Sequence, residues 1–238
     1  MILYKNLCFK RKDIQNMRIR IDLKIFLIIF MFILTSQIQI YMLIMLFALI
    51  HEIGHLLAGL LLKLRPEKIE IIPVGVSVAF QLKTEDFNHK IGKSNLLEIK
   101  KILIAIAGPL TNIIIIWIAL KFKINIIQKI SIIYANILIV IFNLLPIYPL
   151  DGGRILRGIL NICVGKRKTN KYINIISIIV TTGTTILAIV ATVYSHNIAF
   201  IFIIIYLWII VVKECKLNKQ KQRIYEILEK TIEIKSKK

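Results

Sequence analysis

The chain has few of the residues that build disulfide scaffolds, acidic surfaces or disordered segments. Its 238 residues include three cysteines, Cys8, Cys163 and Cys215, which are far apart and show no C-x-x-C spacing. This pattern excludes a disulfide framework and a thiolate zinc site. Only 19% of the residues are charged, with 13 acidic residues against 33 basic ones. Soluble globular chains carry about 25% charged residues, so the composition argues against a soluble domain.

Apolar residues make up 57% of the chain, and they occur in blocks. A membrane-spanning helix needs about 20 largely apolar residues. Six segments meet this requirement to a first approximation: 21–40, 40–62, 102–120, 130–148, 172–194 and 198–212. The first and last of them are short or carry a charge near one end. The chain therefore resembles membrane proteins, with the lipid bilayer as an obligatory partner.

The basic residues predict the orientation of these six segments. With both termini in the cytoplasm, all but three of the 33 basic residues, Lys121, Lys123 and Lys129, fall on the cytoplasmic side. Cytoplasmic segments of membrane proteins are enriched in Lys and Arg. An odd number of spans would spoil this partition. The net charge of +20 is therefore interpreted as membrane topology plus a lysine-rich bias, and no nucleic-acid partner is expected.

The fold class predicted is an all-α polytopic membrane protein with six transmembrane helices. Residues 1–20 are expected to form a cytoplasmic N-terminal segment, 21–212 the membrane domain, and 213–238 a short cytoplasmic amphipathic tail. The segment 70–80 is rich in β-branched residues around a Pro–Gly break. It predicts a small membrane-associated β-hairpin between the second and third helices.

Apart from Asp22, at the N-terminal edge of the segment 21–40, only two of the 13 acidic residues, Glu52 and Asp151, lie within or at the end of a predicted span. Glu52 belongs to the motif H-E-x-x-H, formed with His51 and His55. Residues i and i+4 of a helix share one face, so both imidazoles can bind one metal ion. The intervening glutamate can take a proton from a water at that metal. The alternative, two histidines satisfied by core hydrogen bonds, would need several polar partners inside an apolar span.

Zinc suits two imidazoles, and a catalytic zinc takes three protein ligands plus water. The predicted orientation places Asp151 at the same depth as His51 and His55, whereas the other two histidines lie in loops. We therefore predict Asp151 as the third ligand of one Zn²⁺ per chain. The segment 143–154 surrounds Asp151 with two prolines and two glycines, which break a helix and allow close backbone approach. An ordinary helix end at the membrane surface is the alternative interpretation of this segment.

The motif H-E-x-x-H on one span, followed by N-x-x-P-x-x-P-L-D-G-G on a later one, resembles the site-2 protease family of intramembrane zinc metalloproteases, peptidase family M50. Within it, the short six-span layout is most similar to the stage IV sporulation protein FB subgroup. The resemblance covers about residues 20–212. It implies that His51, His55 and Asp151 bind zinc and that Glu52 is the catalytic base. The tail 213–238 is too short for the CBS domain of that subgroup, and no PDZ domain is inserted.

The resemblance also assigns substrate-binding roles to three further residues. Asn143 matches the asparagine ahead of the ligand aspartate, whose amide holds the substrate backbone or stabilises an oxyanion. Asn112 matches the G-P-x-x-N element, which packs against the catalytic helix; a kinked helix with small residues explains it equally well. Gly75 lies in the predicted hairpin. That hairpin either captures an unwound substrate on its edge strand or merely covers the helices.

The predicted function is hydrolysis of a peptide bond in or next to a membrane-associated protein. The resemblance implies a sporulation sigma-factor precursor as substrate, cleaved in the mother-cell membrane around the bacterial forespore. It also implies regulatory membrane-protein inhibitors as partners. Two alternatives stay open. A membrane zinc transporter would place its ligands along a path, and a catalytically silent scaffold would not need Glu52.

Overall fold

A computed structural model describes residues 18–21, 33, 38–72, 75–81, 91–122, 125–195 and 199–236. These ranges contain six helices and three strands. The helices are α1 (Ile38–Leu61), α2 (Ile91–Lys121), α3 (Ile126–Leu144), α4 (Asp151–Val164), α5 (Lys166–Ser195) and α6 (Ala199–Ser236). The strands are β1 (Arg18–Ile21), β2 (Arg65–Ile72) and β3 (Gly75–Gln81).

Three of the described helices are long and apolar enough to cross a membrane. The candidate spans are Tyr41–Leu61 on α1, Asn95–Lys121 on α2 and Lys168–Tyr194 on α5. Their outward side chains are large and apolar, and Tyr194 on α5 is 91% exposed. Apolar surface of this extent marks contact with a partner or a membrane, and helices of this length match the bilayer thickness. The chain is therefore a membrane protein.

Among the described residues, the predicted fold class is wrong in its number of transmembrane helices and in its description as all-α. Among the described residues three helices qualify as spans, and α3 contributes only a shorter apolar segment, Gln128–Leu144. The predicted span 21–40 lies mostly outside the described residues. The predicted span 198–212 is only the first part of α6, which continues into strongly charged sequence after Val212. A count of apolar runs treats that short run as a helix of its own.

The segment between α1 and α2, where a small hairpin or sheet was predicted, forms two strands of a three-stranded sheet, and the third strand, β1, was not predicted. The strand order is β1-β2-β3, with β1 parallel to β2 and β2 antiparallel to β3. Ile72 and Gly75 are paired where the chain reverses. The register slips between Pro66 and Lys68, at a proline that lacks the N–H needed for a ladder hydrogen bond.

The chain divides into two compact units, Met1–Val140 and Ile141–Lys238. In the first unit α1 packs along α2 and also contacts the sheet. Phe47 and Ala48 of α1 form a buried cluster with Ala135 and Ile139 of α3. Small residues in this cluster allow close helix packing, which in a bilayer depends on van der Waals contact rather than on expulsion of water.

In the second unit, α5 packs against both α4 and α6. Two polar contacts fix α6 along α5: the Trp208 indole N–H donates to the Thr185 hydroxyl (3.0 Å), and the Asn218 amide donates to the Asn174 amide oxygen (2.8 Å). Such hydrogen bonds between apolar helices are worth about 0.6 kcal/mol on average and up to about 1.7 kcal/mol.

The two described cysteines should differ in reactivity. Cys163 is exposed at the end of α4, whereas Cys215 on α6 is half-buried. Burial raises the pKa of the Cys215 thiol, with Lys219 lowering it and Glu214 raising it. Because the thiolate is the reactive form, we expect a small uncharged maleimide at neutral pH to modify Cys163 several-fold faster. Peptide mass spectrometry over time, in a Cys8→Ser background in detergent, measures both rates; equal rates would contradict the expectation.

Candidate metal centre

Helix α1 carries three ionisable side chains into a buried position. His51, Glu52 and His55 are only 4%, 6% and 1% exposed. Buried polar groups of this kind are stable only with hydrogen-bond partners or a metal ion. The hydrogen bonds of the two rings therefore show what each ring nitrogen does.

The partners of the two Nδ1 atoms define the tautomer of each histidine. His51 Nδ1 is hydrogen-bonded to the side-chain oxygen of Asn112, and His55 Nδ1 lies 2.7 Å from the backbone oxygen of Ile104. Both oxygens can only accept, so each Nδ1 must carry the proton and donate it. A neutral imidazole protonated on Nδ1 has a lone pair on Nε2. Both histidines therefore present an Nε2 lone pair.

These two Nε2 atoms face each other at 3.1 Å. With no proton on either atom they cannot form a hydrogen bond to each other, and two lone pairs at this distance repel. A cation shared by both atoms removes that repulsion. Tetrahedral zinc with Zn–N bonds of about 2.0–2.1 Å holds two nitrogen ligands about 3.3–3.4 Å apart. The observed pair therefore has the geometry of two metal ligands, and not that of two packed core histidines.

Two glycines bring α1 and α2 close together beside the histidines. A Cβ built on Gly108 of α2 would lie closer than 3.0 Å to Nε2 of both His55 and His51. A Cβ on Gly54 of α1 would collide with the hydroxyl of Thr111. The absence of a side chain at Gly108 therefore leaves the space that the two imidazoles occupy. Gly108 belongs to the G-P-x-x-N motif, but its position beside the imidazoles could not be predicted from that motif.

Gly108→Ala should weaken zinc binding at least about tenfold, because the added methyl group would occupy space next to both Nε2 atoms. A change of this size is typical for a residue next to the ligands. Zinc affinity of the purified variant, measured by chelator competition, tests this. Gly183→Ala on α5 is the matched control, since a Cβ there meets no atom within 4 Å. An unchanged affinity in Gly108→Ala would show that the methyl group is accommodated.

Asp151 is the first residue of α4 and is also buried. The first turn of a helix favours negative charge because its backbone N–H groups and dipole point toward it. The guanidinium of Arg154, one turn later, lies 3.7 Å from the carboxylate. Both features stabilise the ionised carboxylate, which is the form that binds a metal.

The backbone before Asp151 packs tightly on the first turn of α4. A Cβ on Gly152 would collide with the carbonyl of Leu144, and one on Gly153 would collide with the backbone of Ile147. The two glycines after the aspartate are therefore needed for this close approach. The sequence prediction that they allow the backbone to approach is confirmed at these two positions.

Side chains of α4 and α5 fasten the same backbone segment. The N–H of Tyr148 donates to the hydroxyl of Ser177 (3.1 Å), and the guanidinium of Arg157 stacks over the Tyr148 ring at 4.5 Å. Arg157 also donates to the side-chain oxygen of Asn170 (3.0 Å). A cation over an aromatic ring contributes about 0.5–2 kcal/mol, depending on its exposure to water. The segment before Asp151 is therefore held at two points.

His51, His55 and Asp151 are buried side chains of the types that hold a zinc ion, and each of them offers one ligand atom. The three side chains thus provide the donor set that a zinc cofactor requires.

The three remaining candidates occupy different positions. Asn112 is fully buried and bonded to His51 through the ring nitrogen that faces away from the metal position. Asn143 lies half-buried in the last turn of α3, and Gly75 is the first residue of β3. A substrate-binding role for these residues stays a prediction. His89 and His196 lie outside the described residues.

Residues 122–190 match the profile of peptidase family M50. This chain is a homologue of the M50 peptidases. The resemblance indicated by its motifs is thereby confirmed. The matched residues include α4 and the predicted ligand Asp151, whereas the H-E-x-x-H motif precedes them in the chain.

Two characterised relatives of this M50 homologue are similar over part of their length. A zinc metalloprotease of Methanocaldococcus jannaschii is 33% identical over 140 residues, which cover 56% of this chain and 37% of the relative. Stage IV sporulation protein FB of Bacillus subtilis is 30% identical over 132 residues, which cover 52% of this chain and 41% of the relative. The chain thus aligns with less than half of each relative.

A solved structure shares the fold of the M50 homologue. The site-2 protease from Methanocaldococcus jannaschii superimposes with a TM-score of 0.60 at 24% sequence identity. The match covers 84% of this chain and 91% of the other. The chain therefore shares its fold with that solved structure.

Proposed function

We propose that this protein is an intramembrane zinc metalloprotease that hydrolyses a peptide bond in or next to a membrane-associated protein. The observation that carries the proposal is that the Nε2 atoms of His51 and His55 face each other at 3.1 Å; we propose Asp151 as the third ligand. A pair of structural histidines would not adopt this arrangement. The M50 match supports peptide hydrolysis as the reaction.

Zinc, when bound, supplies a Lewis acid that polarises the scissile carbonyl and activates water. Glu52 follows His51 directly on α1 and is buried. We propose that the Glu52 carboxylate accepts a proton from the attacking water while the water oxygen forms a bond to the carbonyl carbon. The carboxyl group then returns that proton to the amide nitrogen as the C–N bond breaks. General acid–base catalysis of this kind contributes about 10²–10⁴ in rate.

The burial of the site limits the form in which a substrate can react. Inside a substrate helix, the carbonyl oxygen of each peptide bond accepts a hydrogen bond from the backbone N–H four residues later in the chain. The substrate must therefore unwind locally before its carbonyl reaches the ligand group. Asn143, in the last turn of α3, is our candidate for holding the unwound backbone through its amide.

The biological setting belongs to the same proposal. Similarity to stage IV sporulation protein FB supports a role in sporulation. We infer a membrane-bound sigma-factor precursor as the substrate class and membrane-protein inhibitors as regulators. The distribution of basic residues supports a multi-pass protein with both termini in the cytoplasm.

Reconstitution with candidate substrates tests the proposed function. We expect liposomes containing the wild-type protein and a membrane-anchored substrate to yield two fragments, detected by mass spectrometry. A zinc chelator should stop cleavage, and added Zn²⁺ should restore it. Zinc flux into the same liposomes without cleavage would identify a transporter instead. That alternative is not favoured, because the described residues contain one group of ligands and not a path of them.

A further inference from the structure

We propose that Asn136 and Asn112 form a buried amide relay that positions His51 as a metal ligand. The relay runs from α3 through α2 to α1. The catalytic steps proposed above use neither residue, yet both side chains are completely buried in an apolar unit. The inference rests on the proposed metal centre, and it adds the residues that hold one of its ligands in the binding-competent form.

The relay starts from a backbone carbonyl, which can only accept a hydrogen bond. The side-chain N–H₂ of Asn136 donates to the carbonyl of Ile132 (2.8 Å), which orients the Asn136 side-chain oxygen away from that carbonyl. The side-chain N–H₂ of Asn112 donates to this oxygen (2.7 Å). The Asn112 oxygen then faces His51 Nδ1. Each amide has one orientation that satisfies both of its neighbours.

The orientation of Asn112 decides which ring nitrogen of His51 can bind a metal. With its oxygen toward the ring, Asn112 keeps the proton on Nδ1 and leaves the lone pair on Nε2. A reversed amide would present N–H to Nδ1, which would have to accept. The proton would then sit on Nε2, where it would block the metal. Hydrogen bonds to the second ring nitrogen set the tautomer and orientation of ligating histidines.

The two histidines differ in how securely this tautomer is held. His55 donates to the backbone oxygen of Ile104, an acceptor that no side-chain substitution can reverse. His51 depends on a side-chain amide that can rotate, and Asn136 is the residue that prevents the rotation. The metal centre should therefore be sensitive to Asn136, although Asn136 is two hydrogen bonds away from the imidazole.

Four variants separate this role from simple helix packing. Asn136→Leu removes the acceptor that orients Asn112, and Asn112→Leu removes the acceptor of His51. Asn112→Asp keeps an oxygen facing Nδ1–H. Asn218→Leu is the matched control, because Asn218 is a fully buried amide that donates to another asparagine, Asn174, between α6 and α5. All four are purified in detergent next to the wild type.

The zinc dissociation constant is measured by chelator competition, and the coordination geometry by the absorption of bound Co²⁺. We expect Asn136→Leu and Asn112→Leu to bind zinc about 10- to 100-fold more weakly, the range found for groups that orient metal ligands. Asn112→Asp should stay within a few-fold of the wild type and keep its tetrahedral Co²⁺ spectrum. Asn218→Leu should bind zinc normally, even if its thermal stability falls.

The outcomes distinguish the relay from the proposed function. If the wild-type protein does not bind zinc stoichiometrically, the proposed metal centre itself is wrong. Normal zinc binding in the wild type together with unchanged affinity in Asn136→Leu overturns the relay alone. If either leucine variant is not recovered folded, Asn112→Asp decides. A loss of more than tenfold in that variant would mean that Asn112 matters as a donor to Asn136 and not as the acceptor of His51.

Discussion

Replacing Glu52 by glutamine is expected to abolish cleavage and to leave zinc binding near the wild-type level. The amide has the size and shape of the carboxylate but cannot accept the proton of the attacking water. Loss of a general base costs about 10²–10⁴ in rate. Glu52 does not belong to the group of ligands formed by His51, His55 and Asp151, so the metal should remain. Fragment formation in liposomes and zinc content by elemental analysis measure the two effects separately.

A second buried glutamate provides the control for this substitution. Glu98 on α2 is buried and accepts a hydrogen bond from Lys101 (2.9 Å). It lies outside the ligand group, so Glu98→Gln should lower stability through its ion pair while retaining cleavage. Full cleavage by Glu52→Gln would rule out Glu52 as the base. Loss of zinc in the same variant would instead make Glu52 part of the coordination sphere.

The proposed metal ligands could be selected from the sequence alone, because ionisable residues are rare in apolar spans. An ionisable residue inside an apolar span is costly, so Glu52 stands out without any knowledge of the fold. The spacing of His51 and His55 is a local property of one helix. Asp151 required one more step, the direction of two spans, which the basic residues supply. All of this information is contained in short segments and in the charge pattern.

The supporting residues could not be predicted, because their role depends on the packing of separate helices. Asn136 belongs to no motif, and its neighbours in the sequence are apolar. Only the packing of α3 on α1 and α2 brings it to Asn112. Gly108 was recognisable as part of a motif, yet its approach to both imidazoles depends on the contact between α1 and α2. Such contacts have no signature in a single sequence.

Among the described residues, fewer helices qualify as spans than the sequence predicted, and α6 illustrates one physical reason. Counting apolar runs assumes that each run is one helix with its own ends. In α6 the apolar run ends at Val212, but the helix continues to Ser236 through charged residues. Helical hydrogen bonding does not stop where hydropathy changes. The length of an apolar run therefore predicts contact with lipid better than it predicts the bounds of a helix.

The unit built from α1, α2 and α3 prepares both imidazoles before any metal arrives. Each Nδ1 has a dedicated acceptor, and the two Nε2 atoms already face each other. A ligand pair that is held in place loses little conformational freedom on binding, which favours affinity. The remaining requirement is an anionic ligand, and we propose Asp151 for this role because the start of α4 stabilises its charge.

Replacing Asp151 by alanine is therefore expected to remove zinc almost completely. A catalytic zinc site has three protein ligands, and the two histidines alone would leave the ion with two neutral donors. Substitutions that only disturb the orientation of ligands already cost about 10- to 100-fold in metal affinity, so loss of a ligand should exceed 100-fold. Elemental analysis of the purified variant and chelator competition measure occupancy and affinity.

The same comparison with Glu98 separates loss of a ligand from loss of a buried charge. Glu98→Ala also deletes a buried carboxylate that is paired with a cation one turn away, as Asp151 is paired with Arg154. It should retain zinc, whereas Asp151→Ala should not. A cysteine at position 151, which supplies a thiolate donor, should recover part of the zinc affinity. Full zinc occupancy in Asp151→Ala would show that Asp151 is not a ligand and that another group binds the metal together with His51 and His55.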